Sequence, residues 1–217
     1  MTNTDRTEIY KNKNKTLAKL HSVDFSKIGL EDYGKPGNYV ARQVSRWSKQ
    51  YRASETDNIE AMNNLIDWLP KNIPDDDETT IVHGDYRLDN MILKNNEVIG
   101  ILDWELSTLG HPIADFSYHC LSWRTQEAFW DQAKLKELGI PSEKEYIEMY
   151  CENSGKDLSK NWEFYMAFNM FKIAGILQGI LGRVRDGTAA SKHAEERGNM
   201  VFPLSQAAWE TIEDNFL

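Results

Sequence analysis

The chain has 217 residues, 41% of them hydrophobic, which is sufficient for a sizeable buried core. Its net charge of −9 argues against a nucleic-acid surface, because phosphate backbones are bound by clustered Lys and Arg. The N-terminus lacks the apolar stretch of a secretory signal, and polar residues interrupt the apolar segment 162–184. These features predict a soluble intracellular protein with no membrane span, two free thiols (Cys120 and Cys151) and a mostly buried helix over 162–184.

The first seventy residues are predicted to be helical. Apolar residues recur at helical spacing over 9–20, 40–51 and 59–69, and a loop rich in Gly and Pro is expected over 24–38. The clearest amphipathic pattern is formed by four residues at i, i+4, i+7 and i+11: Val40, Val44, Trp47 and Tyr51. The acidic run 74–78 is interpreted as a solvated linker.

The stretch 79–115 interrupts this helical pattern. An apolar run, 80–82, predicts a short strand that leads directly into His83-Gly84-Asp85. Two further β segments are predicted over Met91–Lys94 and Val98–Leu102, joined by the polar turn Asn95-Asn96-Glu97. Asp103 follows the second segment, so polar groups lie at strand ends and in loops, where functional residues are common.

The remainder is predicted to return to helix. One helix is expected over Gln126–Leu138, and a second begins at the capping box of Ser142 and Glu145 and ends before Gly155. A long helix near Trp162–Arg185 is expected to bury one face, comprising Tyr165, Met166, Asn169, Met170, Ile173, Leu177, Ile180 and Val184. A final helix is predicted from Pro203. The fold class is α+β and mostly α-helical, with helices around one small β-hairpin.

Three polar residues in the central stretch match the needs of phosphoryl transfer. That reaction requires a carboxylate to orient the substrate hydroxyl, and oxygen ligands to hold Mg²⁺ on the donor phosphates. The spacing H-x-D-x-x-x-x-N, known from kinase catalytic loops, is present at His83, Asp85 and Asn90, and Asp103 stands where a second metal-binding Asp would be. Hard oxygen ligands of this kind suit Mg²⁺.

These motifs resemble the aminoglycoside phosphotransferase / choline kinase superfamily, and in particular the kinase-like domain associated with certain acyl-CoA dehydrogenases. The phrases that carry the resemblance are LAKLHSVDF (17–25), GLEDYGKPGNYVARQVSRWSKQY (29–51), IVHGDYRLDN (81–90), LDWELSTLGHPIAD (102–115) and the helix near 171–182. The resemblance implies a protein-kinase-like C-terminal lobe over 1–217 as a single domain. For relatives, it also allows a peroxisomal or mitochondrial location.

By the same resemblance, Asp85 would be the catalytic base, Asn90 and Asp103 the metal ligands, and Asp115 a buried residue that orients the catalytic loop. ATP would be the donor, Mg²⁺ the cofactor, and a small hydroxylated molecule such as a hydroxyacyl-CoA the acceptor. No Gly-rich loop between strands and no strand Lys precede Asp85, so the N-terminal nucleotide lobe is expected to be absent from this chain. Without that Lys and that lobe, nucleotide affinity should fall sharply, and water would not be excluded from the site.

Most of the other candidate residues have two possible roles. Ile92 and Leu102 either pack in the core or line the adenine of ATP. Arg87 either meets a phosphate or substrate acid or forms a surface ion pair. Trp104 and Glu105 face the expected acceptor side, although Trp104 is equally suited to core packing, and His83 is interpreted as a brace for the loop.

Two functional classes follow. The first is an ATP- and Mg²⁺-dependent phosphotransferase that is incomplete without its N-terminal lobe, and the second is a non-catalytic, pseudokinase-like binding module. A third interpretation, a metal-dependent hydrolase, explains the carboxylates but not Asn90. The face near Ile92, Leu93 and Leu102 is expected to expose apolar surface that favours self-association or binding of an N-terminal lobe.

Overall fold

The computed structural model describes residues 1–125 and 132–217 of the chain. The helices are α1 (Asn3–His21), α2 (Tyr39–Ser54), α3 (Glu60–Trp68), α4 (Pro112–Cys120), α5 (Ser122–Thr125), α6 (Gln132–Glu137), α7 (Glu143–Ser154), α8 (Trp162–Arg185), α9 (Ala194–Asn199) and α10 (Val201–Phe216). The strands are β1 (Thr80–Val82), β2 (Met91–Lys94), β3 (Glu97–Ile101) and β4 (Thr108–Gly110), and short 3₁₀ turns cover Leu69–Lys71, Leu88–Asn90 and Trp104–Leu106. The predicted mostly helical α+β class is confirmed.

The chain divides into two compact units. The first comprises Met1–Gly37 and Asp77–Lys160, and contains α1, all four strands and α4 to α7. The second comprises Asn38–Asp76 and Asn161–Leu217, and contains α2, α3 and α8 to α10. That the whole chain acts as a single domain remains a prediction.

In the first unit, α1 packs against α7 and against β1 and β3. Aromatic rings fill the core beneath α4: Phe116 stacks on Tyr150 with 3.8 Å between ring centroids, and both side chains are fully buried. Helix α7 begins at Ser142, where the expected capping box with Glu145 is formed, and it ends at Gly155 with a left-handed φ of 72°. Both predicted limits of this helix are confirmed.

The four strands form two separate antiparallel pairs. Strand β2 pairs with β3, and the two-residue turn between them consists of Asn95 and Asn96, with φ of 52° and 65°. Asn tolerates positive φ, and such turns match the right-handed twist of hairpin strands. The predicted turn is therefore wrong by one residue, because Glu97 pairs with Lys94 and Leu102 lies beyond the strand. Strand β4, which pairs with β1, was not expected because it is three residues long and ends in Gly.

In the second unit, α2, α9 and α10 pack on the long helix α8. The apolar stripe of α2 is buried as predicted, at Val40, Val44, Trp47 and Tyr51. Helix α2 approaches α8 closely at Gly175, where an added Cβ would lie 3.6 Å from the carbonyl oxygen of Trp47. A mostly buried α8 is also confirmed: it is long and apolar enough to cross a membrane, but 67% of that stretch is buried.

The predicted buried face of α8 is correct in its first half and wrong in its second. Ala174, Gln178 and Leu181 are buried there, whereas Ile173, Leu177, Ile180 and Val184 are only half-buried. A polar residue is tolerated inside because the Gln178 amide donates to the Ser54 carbonyl oxygen at 2.6 Å. The last helix begins at Val201 rather than Pro203, and much of the helix predicted over Gln126–Leu138 lies outside the described residues.

Candidate functional site

The candidate site begins where β1 ends. His83, Gly84 and Asp85 follow β1 directly, and Gly84 adopts a φ of 83°. A Cβ at Gly84 would lie 2.7 Å from the Leu106 carbonyl oxygen, which is closer than a side chain can approach. Glycine is thus required here both by backbone conformation and by space. The tight turn places the loop of Asp85 against the segment that follows the hairpin.

The carboxylate of Asp115 fixes the backbone of this turn. Its two oxygens accept hydrogen bonds from the N–H groups of His83 at 2.9 Å and Gly84 at 2.8 Å. Burial acts to raise the pKa of Asp115, but the hydrogen bond and charge of His21 and these two N–H donors outweigh it, so that the pKa is lowered. Asp115 lies in the first turn of α4, where a negative charge is favoured by the helix dipole.

His83 links the turn to the end of the hairpin. Its Nδ1 accepts a hydrogen bond from the Asp85 N–H at 3.2 Å, so its Nε2 carries the proton that is donated to the Leu102 carbonyl oxygen at 2.9 Å. The ring is fully buried and packs edge-on against Trp104, 5.0 Å away. Both ring nitrogens are thus engaged with the backbone, an arrangement that suits a brace rather than a proton carrier.

Asp85 and Asn90 are joined directly. The side-chain amide of Asn90 donates to the Asp85 carboxylate and to the Asp85 backbone carbonyl oxygen, at 3.0 Å in each case. The Asn90 oxygen Oδ1 must then face away from Asp85, and it makes no hydrogen bond within residues 1–125 and 132–217. Asp85 likewise keeps one carboxylate oxygen available. Each residue therefore offers one oxygen atom to a ligand.

The backbone of Leu102, the residue before Asp103, makes two hydrogen bonds that fix the position of Asp103. The Leu102 N–H donates to the Asn90 carbonyl oxygen at 2.9 Å, while the Leu102 carbonyl oxygen accepts from His83. Asp103 itself has a left-handed φ of 62°, a costly conformation that is common at functional sites. Its exposed carboxylate has no hydrogen-bond or ion-pair partner in the described part of the chain.

Asn90 and Asp103 both offer side-chain oxygen atoms, which are the type of ligand that magnesium binds. Mg²⁺ prefers hard oxygen ligands, keeps several waters, and takes one or two protein carboxylates. No cluster of three or more His, Cys, Asp or Glu residues suited to a metal is found among the described residues. One carboxylate with one amide oxygen is a donor set of a different type from such a cluster.

The remaining candidate residues lie around this centre and differ in how exposed they are and in the partners they already have. Arg87 forms an ion pair with Asp89, with its Nε 3.0 Å from the Asp89 carboxylate, so a phosphate would have to compete with that partner. Glu105 is exposed in the 3₁₀ turn after Asp103. Trp104 is 39% exposed and its indole N–H donates to the Ile101 carbonyl oxygen.

Ile92 and Leu102, predicted to line a nucleotide, are half-exposed rather than packed in the core, at 45% and 47%. Ile92 lies opposite Gly100 in the hairpin, and its side chain covers the position where a Cβ of residue 100 would lie, 3.4 Å from its nearest atom. Further large apolar side chains are exposed in the same segment: Leu88, Ile99, Trp104 and Leu106. Ile92 and Leu102 are thus exposed as expected, whereas Leu93 is half-buried, and a contact surface at this face remains a prediction.

Three buried residues that were not among the predicted site residues, His21, His119 and Tyr150, support the loop from behind. His21 lies 3.1 Å from Asp115 and 2.6 Å from the Tyr150 hydroxyl. His119 donates from Nδ1 to the Tyr86 carbonyl oxygen at 2.7 Å, and burial followed by the charge of Lys13 places the pKa of His119 well below its usual value. Tyr86 in turn donates its hydroxyl to the Lys13 carbonyl oxygen. The one sequence signal that could have identified these residues is a polar side chain at a position that the helical pattern predicts to be buried.

Comparison with known protein families agrees with the site described above. The model of the phosphotransferase enzyme family matches residues 1–150, which include every site residue named above. The chain belongs to this phosphotransferase family. The resemblance inferred from the sequence motifs is confirmed.

Individual relatives agree with this assignment. Acyl-CoA dehydrogenase family member 10 of Mus musculus is 45% identical over 212 residues, covering 94% of this chain but 20% of its own length. A candidate aminoglycoside phosphotransferase from Ralstonia eutropha has a solved structure with a TM-score of 0.94 and 48% identity, covering 100% of this chain and 68% of that one. Choline kinase from Cryptosporidium parvum has the same fold, with a TM-score of 0.66 and 12% identity over 99% of this chain and 68% of its own. This chain spans about a fifth of the mouse relative.

Proposed function

We propose that this phosphotransferase-family chain transfers the terminal phosphoryl group of ATP to a hydroxyl group of a small molecule. The observation that carries the proposal is the hydrogen-bonded pair of Asp85 and Asn90, which leaves one oxygen of each residue available. A loose phosphoryl-transfer transition state needs positioning and charge neutralisation more than covalent help from the protein. A spectinomycin phosphotransferase of similar fold was solved in complex with ADP, which supports an adenine nucleotide as the donor.

In this proposal each residue has a distinct task. Asp85 accepts the proton of the acceptor hydroxyl as the hydroxyl oxygen bonds to the terminal phosphorus of ATP and the bond from that phosphorus to the departing ADP breaks. The amide of Asn90 fixes the orientation of the Asp85 carboxylate. Asn90 Oδ1 and the Asp103 carboxylate would hold Mg²⁺, which neutralises charge on the phosphates when it is bound. Asp115 and His83 position the loop without contacting the reactants.

The donor and acceptor would be bound by the residues around this centre. The half-exposed side chains of Ile92 and Leu102 offer apolar surface to the adenine. Arg87 would exchange Asp89 for a phosphate oxygen, and Trp104 with Glu105 would meet the acceptor. The mouse relative is named as an acyl-CoA dehydrogenase family member, which supports a hydroxyacyl-CoA as the acceptor.

The experiment is to incubate the chain with ATP, Mg²⁺ and a 4-hydroxyacyl-CoA and to search for the phosphorylated product by mass spectrometry. The same assay is run on a version extended upstream in its gene, with the Ralstonia eutropha protein tested in parallel. Product that requires Mg²⁺ and disappears with EDTA supports the proposal. Nucleotide or acyl-CoA binding without product in either version would instead favour the non-catalytic binding module.

The exposed apolar face of the hairpin is proposed to be a contact surface, either for a second copy or for an N-terminal lobe. Its most exposed members are Ile99 at 59% and Leu106 at 58%. The proposal rests on the number of large apolar side chains exposed in this one segment, because such side chains mark contact sites when they form a patch.

A further inference from the structure

Helix α4 is buried at every position except Tyr118. The other residues of this helix, from Pro112 to Cys120, are all buried, whereas the side chain of Tyr118 is half-buried. A tyrosine combines an apolar ring with a hydroxyl group that can bond to a polar partner. On a helix that otherwise serves the core, this one partly accessible side chain is suited to meet a ligand.

The face of α4 that carries Tyr118 is fixed against the loop that carries Asp85. Asp115 binds the backbone N–H groups of the turn before Asp85. His119, four residues after Asp115, donates from Nδ1 to the carbonyl oxygen of Tyr86 at 2.7 Å. Residues three and four apart lie on the same side of a helix. Tyr118, three residues after Asp115, therefore lies on the side of α4 that contacts this loop.

The phenol of Tyr118 also interacts with the charges on this loop. Burial, followed by the negative charge of Asp85, raises the pKa of Tyr118, while the positive charge of Arg87 acts to lower it. A raised pKa keeps the phenol protonated near neutral pH. Tyr118 can therefore donate a hydrogen bond next to Asp85 without adding a charge to the site.

We propose that Tyr118 contacts the acceptor and is a specificity-determining residue for its hydroxyl group. The phenol donates a hydrogen bond to one lone pair of the acceptor oxygen, the proton on that oxygen points to Asp85, and the second lone pair faces the donor phosphate. Tyr118 keeps its own proton throughout. Only a hydroxylated acceptor gives the phenol this partner, so the site distinguishes a hydroxyacyl group from a plain acyl group. This inference rests on the proposed function.

Calorimetric titrations into the 217-residue chain without ATP test this contact, because they measure binding apart from turnover. The two ligands are a 4-hydroxyacyl-CoA and the acyl-CoA of the same chain length that lacks the hydroxyl. The variant Y118F removes the phenol hydroxyl and keeps the ring. The matched control is Y33F, at a tyrosine that is 38% exposed in the loop after α1.

We expect Y118F to bind the hydroxylated ligand about 3- to 10-fold more weakly than the wild type does, which is the effect of one lost hydrogen bond. Its affinity for the unhydroxylated ligand should equal that of the wild type. Y33F should change neither affinity by more than about two-fold. This dependence on the ligand hydroxyl separates a contact with the acceptor from a merely structural role, which would weaken both ligands alike.

Three results would overturn the contact. They are equal weakening of both ligands in Y118F, an unchanged affinity of Y118F for the hydroxylated ligand, and a wild-type chain that binds neither ligand or does not distinguish them. The turnover of D85N tests the proposed phosphoryl transfer separately. The titrations can therefore contradict the role of Tyr118 while D85N supports the proposed function, and the reverse.

Discussion

The carboxylate of Asp115 lies 3.1 Å from Nε2 of His21, and both side chains are almost completely buried. The same carboxylate holds the N–H groups of His83 and Gly84, so one buried group connects α1, α4 and the loop that carries Asp85. Breaking a buried pair by removing one partner is costly, because the other is left without compensation.

The variant D115A should therefore lose about 3–5 kcal/mol of unfolding free energy, the typical cost of removing one partner of a buried, hydrogen-bonded pair. Urea denaturation measures it, with the exposed α10 variant D214A as the control, for which a change within about 0.5 kcal/mol is expected. A loss in D115A no larger than that in D214A would show that Asp115 does not brace the loop.

A second prediction concerns Gly84. Both Gly84 and Gly29 have positive φ, but an added Cβ meets the Leu106 carbonyl oxygen at 2.7 Å only at Gly84, whereas nothing lies within 4 Å at Gly29. G29A should cost about 1 kcal/mol, from backbone strain alone. G84A should cost at least about 2 kcal/mol more, through the added steric clash. Equal losses in the two variants would mean that the turn can move away from Leu106 freely.

A third prediction uses the buried amine of Lys13. Its Nζ lies 4.0 Å from the centroid of the Tyr10 ring, and burial, only partly opposed by the charge of Cys120, lowers the pKa of Lys13 from 10.5 to about 8. At a pH between about 8 and 10.5, Lys13 is therefore protonated in the unfolded chain but neutral in the folded chain. The contribution of Lys13 to stability thus rises as the pH rises.

The free energy of unfolding of the wild type, minus that of K13M, should increase by about 2 kcal/mol between pH 7 and 9.5. Buried tyrosines are present in both proteins, so their own titration cancels in the difference, and both proteins carry C120A because Cys120 interacts with Lys13. The surface variant K144M provides the reference, with a flat difference across the same range. A flat difference for K13M as well would show that Lys13 stays protonated in the folded protein.

A fourth prediction concerns the apolar face of the hairpin. I99K should reduce binding of a hydrophobic dye and shift light scattering toward the monomer, because it places a charge at the most exposed position of that face. I28K, equally exposed at 57% but in the loop after α1, is the matched control. A wild-type chain that is monomeric and binds no dye would contradict a contact surface here.

Local patterns in the sequence were sufficient for most elements of the fold. Helical spacing identified α1, α2 and α8, and the capping box of Ser142 fixed the start of α7, because these signals depend on residues close in the chain. The pairing of β1 with β4 and the burial of Gln178 were missed, since both depend on partners far away in sequence. Packing against α2 and α9 decided which face of α8 is buried.

The candidate site likewise divides into residues that local sequence patterns identify and residues that depend on contacts distant in sequence. The spacing of Asp85, Asn90 and Asp103 along the chain, with His83 before them, indicated the proposed site residues directly. Nothing local indicated that His21, His119 and Tyr150 support them, because each approaches from another helix. The ion pair of Arg87 with Asp89 was one of two interpretations that the sequence left open.

The most direct test of the account is the turnover number of Asp85→Asn in the most active form of the protein, with saturating ATP, Mg²⁺ and hydroxyacyl-CoA. Asparagine preserves the size of the side chain and can still contact Asn90, but it cannot accept the hydroxyl proton. We expect kcat to fall about 10²- to 10⁴-fold, the usual contribution of a general base, while nucleotide binding measured by calorimetry is unchanged. A variant that phosphorylates the acceptor at the wild-type rate would contradict the assignment of Asp85 and the mechanism built on it.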